Sequence, residues 1–201
     1  MTGAPTVSPT TNPQSLFTLP FETILRRTAE RTAYPGGGAA SAMACASAAS
    51  LVAMVARYTG DAAAVAVTDA ESAIEELHHL ADEDEVGFAD LMEAWAEPKD
   101  APGRAERVAS AASRASEVPL RICRLGAKVA THAASLAAEG KRDLRGDAFA
   151  AAYLCLAGVL GSARLVELNA GQASDLAPVE EVRAHVASTR DLVRRLDEAR
   201  S

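Results

Sequence analysis

The feature that most constrains this chain is an unbroken uncharged run from Ala39 to Ala56, entered directly from Pro35-Gly36-Gly37-Gly38. So long a stretch without a charge belongs in a bundle core or in a membrane, not on a solvated surface. Ala, Ser and Cys dominate it, and only Leu51-Val52-Ala53-Met54-Val55 is strongly apolar. A second such run, Ala148 to Ala163, carries Gly158 and Gly161. Small residues let helices approach closely, so the two runs are read as the packed central pair of a bundle, with no membrane partner. The glycines leave backbone N–H groups bare at a helix start, where the first turn lacks intrahelical partners for them. Two readings of that loop stay open. It is a plain turn into a buried helix, or a cradle for an anionic or carbonyl group at the positive end of a helix dipole.

Hydrophobic residues make up 49% of the 201 residues but aromatics only 4%, so the core must be built from Ala, Leu and Val. That composition points to an all-α fold. A net charge of −7 with no basic stripe argues against nucleic acid as a partner. Cys45, Cys123 and Cys155 sit in apolar runs without paired or metal-like spacing, as buried thiols of a cytoplasmic protein would. No basic segment leads an apolar one at the N-terminus, so no secretory leader is expected. Residues 1–15, rich in Thr, Pro and Ser, are expected to form a disordered tail, and residues 16–201 a single helical domain.

Breaking residues divide that domain into about six helices. The first starts at Leu19-Pro20 and reaches about Arg31; the second carries the uncharged run to Tyr58-Thr59-Gly60. The third covers 62–96, up to the break Glu97-Pro98-Lys99-Asp100-Ala101-Pro102-Gly103. The fourth covers 104–139, bent at Pro119 and stopped at Gly140; the fifth covers 147–169, and an amphipathic sixth 178–200.

Chemistry concentrates in the third helix, at Asp82-Glu83-Asp84-Glu85. Four consecutive acids can be a solvated face. Asp84, however, stands four residues before Phe88 and seven after Leu77, on or beside the apolar stripe. Burial there would raise its pKa toward the range useful for proton transfer. Pro119 either makes a structural kink or widens a groove between helices. Asp147 can cap the fifth helix, and Asn169 lies near its end. His78 and His79 point to different helix faces without a third ligand at metal spacing, so no metal is expected.

The order Pro35-Gly36-Gly37-Gly38, Met54-Val55-Ala56-Arg57-Tyr58-Thr59, Asp82-Glu83-Asp84 with Phe88, Pro98-Lys99, Val118-Pro119-Leu120, Gly140, Asp147 and Asn169 resembles the cyclodeaminase/cyclohydrolase family. That family includes the C-terminal domain of formiminotransferase-cyclodeaminase and stand-alone methenyltetrahydrofolate cyclohydrolases. The resemblance covers about residues 20–170. It implies an all-α homodimer that acts, without a resident cofactor, as a C–N lyase or hydrolase on a folate one-carbon unit. Ammonia is expelled from formimino-tetrahydrofolate as the ring closes, or the methenyl bridge is hydrolysed. On this resemblance the candidate catalytic residues are Asp84 (charge stabiliser and proton shuttle), Asp147 (a second acid) and Asn169 (orienting water or substrate). The candidate substrate contacts are Tyr34, Gly36, Gly37, Gly38, Asp82, Phe88, Lys99 and Lys141.

The chain departs from the family pattern at four places. Ala33-Tyr34 replaces Pro and a small residue, Lys141 replaces Asn, Gly146 replaces Ser, and Val166-Glu167 replaces Asn-Val. Tyr34 either offers an aromatic face to the ligand or fills space a folate would need. These changes leave open a non-folate imine or cyclic amidine as substrate, or a non-catalytic helical dimerisation module.

Overall fold

A computed structural model describes residues 15–172 and 176–199, so the expected tail over residues 1–15 lies, Ser15 apart, outside the described residues. Within them the chain forms six α-helices and no strand. After a 3-10 turn at Leu16–Thr18 come α1 (Phe21–Thr28), α2 (Gly37–Thr59), α3 (Ala64–Ala96), α4 (Arg104–Glu139), α5 (Arg145–Ala170) and α6 (Ala177–Glu198). The breaks fall where the glycines and prolines place them. Gly60 ends α2 at φ 91° and Gly103 opens α4 at φ 71°, backbone conformations that side chains other than glycine rarely adopt. The start of α5 differs from expectation. Its first turn begins at Arg145, with Leu144 at the N-cap, so Asp147 lies inside the first turn and does not cap it.

Each of α2 to α5 packs on its successor in sequence, so the chain runs up and down as a bundle, with α2 also touching α4 and α5. The expectation for the two uncharged runs holds: α2 and α5 pack against each other at the centre. Glycines of α4 and α5 let both helices approach α2 closely. A methyl at Gly126 would come within 2.7 Å of Cys45 Sγ, and one at Gly158 within 2.8 Å of the Ser41 carbonyl oxygen. By length and mean hydropathy, 1.8 for α2 and 1.7 for Arg142–Ala170, both segments could cross a membrane. Their apolar surface goes largely into the bundle instead, through Ala42, Cys45, Ala49, Val52, Val55, Ala151, Cys155 and Val159, each fully buried. Burial pushes the Cys45 thiol up to about 12, so it packs as a small apolar group.

Helix lengths create the one irregularity that matters. α3 and α4 have 33 and 36 residues, against 23 and 26 for α2 and α5. The α3–α4 hairpin therefore overhangs the N-terminus of α2 and the C-terminus of α5. The overhang holds its own small core of Leu91, Ala94, Val108, Ala111, Ala112 and Ala115. Trp95 Nε1 donates to Gln172 Oε1 at 2.5 Å, tying the overhang to the end of α5.

Candidate active site

In an up-and-down bundle, residues equally far from a turn face each other. Gly38 and Asp84 are equidistant in sequence from Asp61, Gly87 and Ala115 from Ala101, and Ala115 and Asn169 from Arg142. Three successive hairpins thus carry these residues to one end of the bundle. A cavity of about 250 Å³ lies there, lined by Ala33, Gly36, Gly37, Gly38, Asp84, Phe88, Ala115, Pro119, Leu165 and Asn169, and half open to solvent.

The four acids of α3 meet different fates, because successive helical side chains project about 100° apart. Asp82 Oδ1 accepts the Leu16 backbone N–H at 2.9 Å and lies 3.4 Å from the Tyr34 hydroxyl, which also donates to the Ala81 carbonyl at 3.1 Å. Glu83 pairs with Arg121 of α4 at 2.8 Å. Glu85 is half-buried and lies close enough to Tyr34 to help raise its pKa. Asp84 turns onto the first turn of α2.

That turn is built to receive it. Gly36 occupies the N-cap with no side-chain oxygen to offer. The Asp84 carboxylate accepts the Ala39 backbone N–H and so caps α2 from a neighbouring helix. A methyl at Gly38 would overlap all three carboxyl atoms of Asp84, so only glycine admits the group there. Burial holds the Asp84 carboxyl above the usual range, and the Ala39 N–H offsets part of the rise. No cation pairs with it among the described residues. The charged form thus rests on backbone N–H groups and the helix dipole.

Asn169 is placed by a second device. Pro119 has no N–H, so it cannot bond the Ala115 carbonyl one turn earlier in α4. Asn169 Nδ2 donates to that carbonyl at 3.1 Å. A carbonyl only accepts, so the nitrogen of the amide must face it. The remaining walls are apolar: Leu165 and Phe88, with Phe88 meeting Trp95 edge-to-face at 6.5 Å. Larger hollows occur elsewhere, of about 510 Å³ beside Asp90 and about 360 Å³ beside Glu167. Asp90 there is already tied to Arg114, and Glu167 to Arg164 and Arg183.

This arrangement sits on a chain whose relatives are known. A family model for formiminotransferase-cyclodeaminase matches residues 20–188. The chain belongs to that family. A methenyltetrahydrofolate cyclohydrolase of Methylorubrum extorquens is 32% identical over 174 residues, covering 80% of this chain and 84% of that protein. The crystal structure of formiminotetrahydrofolate cyclodeaminase from Thermotoga maritima superposes with a TM-score of 0.78 at 26% identity, covering 90% of this chain and 96% of that one.

Not every residue suggested by the family pattern reaches the cavity. Asp84, Asn169, Phe88 and Gly36 to Gly38 do. Tyr34 and Asp82 do not line it; they bind each other and the N-terminal segment, and burial with the Asp82 charge pushes the Tyr34 phenol up. Lys99 is exposed in the α3–α4 loop and does not line it either. Asp147 starts the helix that Asn169 ends, about 33 Å away at about 1.5 Å per residue. Lys141 follows α4 at the same far end, its N–H donating to Thr59 Oγ1 at 3.2 Å and its ammonium 5.0 Å from the Tyr58 ring centre. Within one protomer Asp147 and Lys141 cannot join Asp84 in a single site.

The departures from the family pattern fall mostly outside the cavity as well. Lys141 and Gly146 are at the far end, Val166 is fully buried in the core, and Glu167 pairs with Arg164 and Arg183. Ala33 alone among them lines the cavity. Sequence reasoning missed Ala33, Ala115 and Leu165 as wall residues; the hairpin register, equidistance from Arg142, was the signal that could have found the second. Among the described residues, no three His, Cys, Asp or Glu side chains gather as a metal would require.

Proposed function

We propose that this chain is an enzyme of folate one-carbon chemistry, a methenyltetrahydrofolate cyclohydrolase or a formiminotetrahydrofolate cyclodeaminase, working in the cavity beneath the α3–α4 overhang. The observation that carries the reading is Asp84: a half-buried carboxylate without a cationic partner among the described residues, held on the bare first turn of α2 and lining a cavity with Asn169. Such a group suits a reacting carbon that is itself cationic. The relatives named above support the substrate class.

In the hydrolase direction, water adds to the cationic methenyl carbon and gives one proton to the Asp84 carboxylate. The bond from that carbon to one ring nitrogen then breaks, the nitrogen takes the proton from Asp84, and the hydroxyl proton leaves to solvent as the formyl C=O forms. In the deaminase direction, the substrate's free secondary amine adds to the formimino carbon and its proton passes to the imine nitrogen, which becomes an amino group. Protonated Asp84 then protonates the amino group, and ammonia leaves with the C–N bonding pair. Positioned proton transfer of this kind contributes about 10²–10⁴-fold. The reaction needs no metal or resident cofactor. Asn169 Oδ1 accepts from a substrate N–H or from the attacking water. A cavity of about 250 Å³ takes the reacting end of a folate and leaves the remainder outside. That small volume also favours a second reading, a compact non-folate cyclic amidine.

The test is spectroscopic. Decay of the near-ultraviolet absorbance of methenyl-tetrahydrofolate, above the uncatalysed rate, reports hydrolysis; its growth from formimino-tetrahydrofolate reports deamination. Asp84→Asn is expected to lower the active direction at least 100-fold with the fold intact. Full turnover in a folded Asp84→Asn protein overturns the assignment.

A homodimer and a cytoplasmic location belong to the same proposal. The dimer is supported by the outward face of α2, where Gly37, Ala40, Ser47 and Ser50 are exposed without a charge before Arg57. Sedimentation is expected to give a dimer that Ser47→Glu converts to monomer, and a monomeric parent protein would refute it. The location is supported by three buried thiols, none in a disulfide.

A further inference from the structure

We propose that Pro119 is a positioning residue for this site: its missing N–H leaves the Ala115 carbonyl to Asn169, and so sets which atom of the Asn169 amide is free for a ligand. The inference rests on the catalytic reading given above and adds a residue to it. Three observations carry it. Pro119 lies inside α4, a helix of 36 residues, where its ring displaces the carbonyl of Ala115 and cannot bond it. Asn169 Nδ2 fills that vacancy from α5 at 3.1 Å, while its Oδ1 makes no hydrogen bond among the described residues. Ala115, Pro119 and Asn169 all line the same cavity as Asp84.

A proline in mid-helix destabilises the helix when nothing compensates for the lost hydrogen bond. Here the orphaned carbonyl is satisfied from another helix, and the satisfaction has direction. A carbonyl can face only the nitrogen of the amide, so Oδ1 is left as an acceptor. The cavity then offers two acceptors, the Asp84 carboxylate and Asn169 Oδ1. That pattern fits a ligand whose reacting end is cationic or carries N–H groups. A freely rotating Asn169 would present its NH₂ to the same ligand half of the time and repel it. Gly87 supports the placement: a methyl there would lie 3.6 Å from the Ala115 Cα, so α3 backs this turn of α4 at van der Waals distance.

The experiment compares Pro119→Ala, Asn169→Asp and the double variant. In Pro119→Ala the new N–H bonds Ala115, the carbonyl swings back toward the α4 axis, and Asn169 loses its anchor. The single variant is expected to lose about 10–100-fold in kcat, the order associated with a misplaced group, with no loss of thermal stability. Asn169→Asp alone is expected to lose at least as much, because a carboxylate cannot donate to Ala115. With Pro119→Ala the carbonyl no longer needs a donor, so the double variant is expected to regain at least tenfold over Asn169→Asp. Additive losses overturn the proposal. A ligand-free measurement separates this inference from the substrate assignment. The Asn169 side-chain NH₂ resonances are expected to show slowed exchange in the parent protein and ordinary exchange in Pro119→Ala. Unchanged exchange between the two overturns the positioning role whatever the substrate is; the predicted change, with neither folate turned over, overturns only the substrate.

Discussion

The two ends of this bundle hold carboxylates in opposite conditions. At the overhang end, Asp84 is half-buried, has no cation beside it among the described residues, and burial holds its pKa high. At the far end, Asp69 of α3 bonds Lys128 Nζ at 2.8 Å and His132 Nε2 at 2.9 Å, and both partners hold its pKa low. Both ends have hollows of nearly equal size, about 250 Å³ and about 240 Å³. Volume therefore does not distinguish them; electrostatics does. An acid whose charge is already answered by two side chains is committed to structure. An acid answered only by a helix end keeps capacity for a bound cation and for a proton.

The sharpest way to break this comparison is to neutralise each acid in turn. Asp84→Asn is expected to abolish nearly all activity, as stated above, whereas Asp69→Asn is expected to change turnover less than twofold. Equal losses at both ends would remove the distinction. The pH dependence sharpens it. Because the Asp84 pKa lies above its unfolded value of about 3.9, the folded state binds more protons in that interval. Its contribution to stability is therefore present at low pH and lost as pH rises through the folded pKa. Asp69, with a lowered pKa, contributes the opposite slope, stability lost as pH falls. Denaturant titrations at several pH values are expected to lose the first slope in Asp84→Asn and the second in Asp69→Asn.

Glycine replacements come next in size. Gly38→Ala drives a methyl into the Asp84 carboxylate and is expected to lose about 1–3 kcal/mol of stability together with most activity. Gly146→Ala, in the first turn of α5 with nothing within 4 Å, is expected to gain about 0.4–1 kcal/mol and leave turnover unchanged. The smallest effect belongs to Asp147→Ala. Its first-turn position predicts a loss of about 0.3–1 kcal/mol from the α5 dipole, with kcat within twofold. A large kcat loss there would mean that the far end of a second protomer completes the site.

Much of this architecture was legible before any coordinates. The uncharged runs identified α2 and α5 as the central pair, and the prolines and glycines located the breaks to within a few residues at most boundaries. Asp84 stood out because its spacing from Leu77 and Phe88 put a charge on an apolar stripe. Other residues of the family pattern do not come together with Asp84 within one protomer. Asp147 and Asn169 share a helix and a family pattern, but α5 is a rigid rod that holds them apart. Tyr34, open to reading as a ligand face or as a filler of folate space, donates its hydroxyl to the Ala81 carbonyl of α3 and does not line the cavity.

The sequence by itself determined the helices, their order and which faces had to be buried, because caps, breaks and hydropathy act within a turn or two of chain. Only the tertiary structure decided which polar groups meet. That Asp84 caps α2 and that Asn169 answers the carbonyl Pro119 leaves open both depend on register accumulated over whole hairpins. There a shift of a single residue rotates a side chain by about 100° and separates the partners.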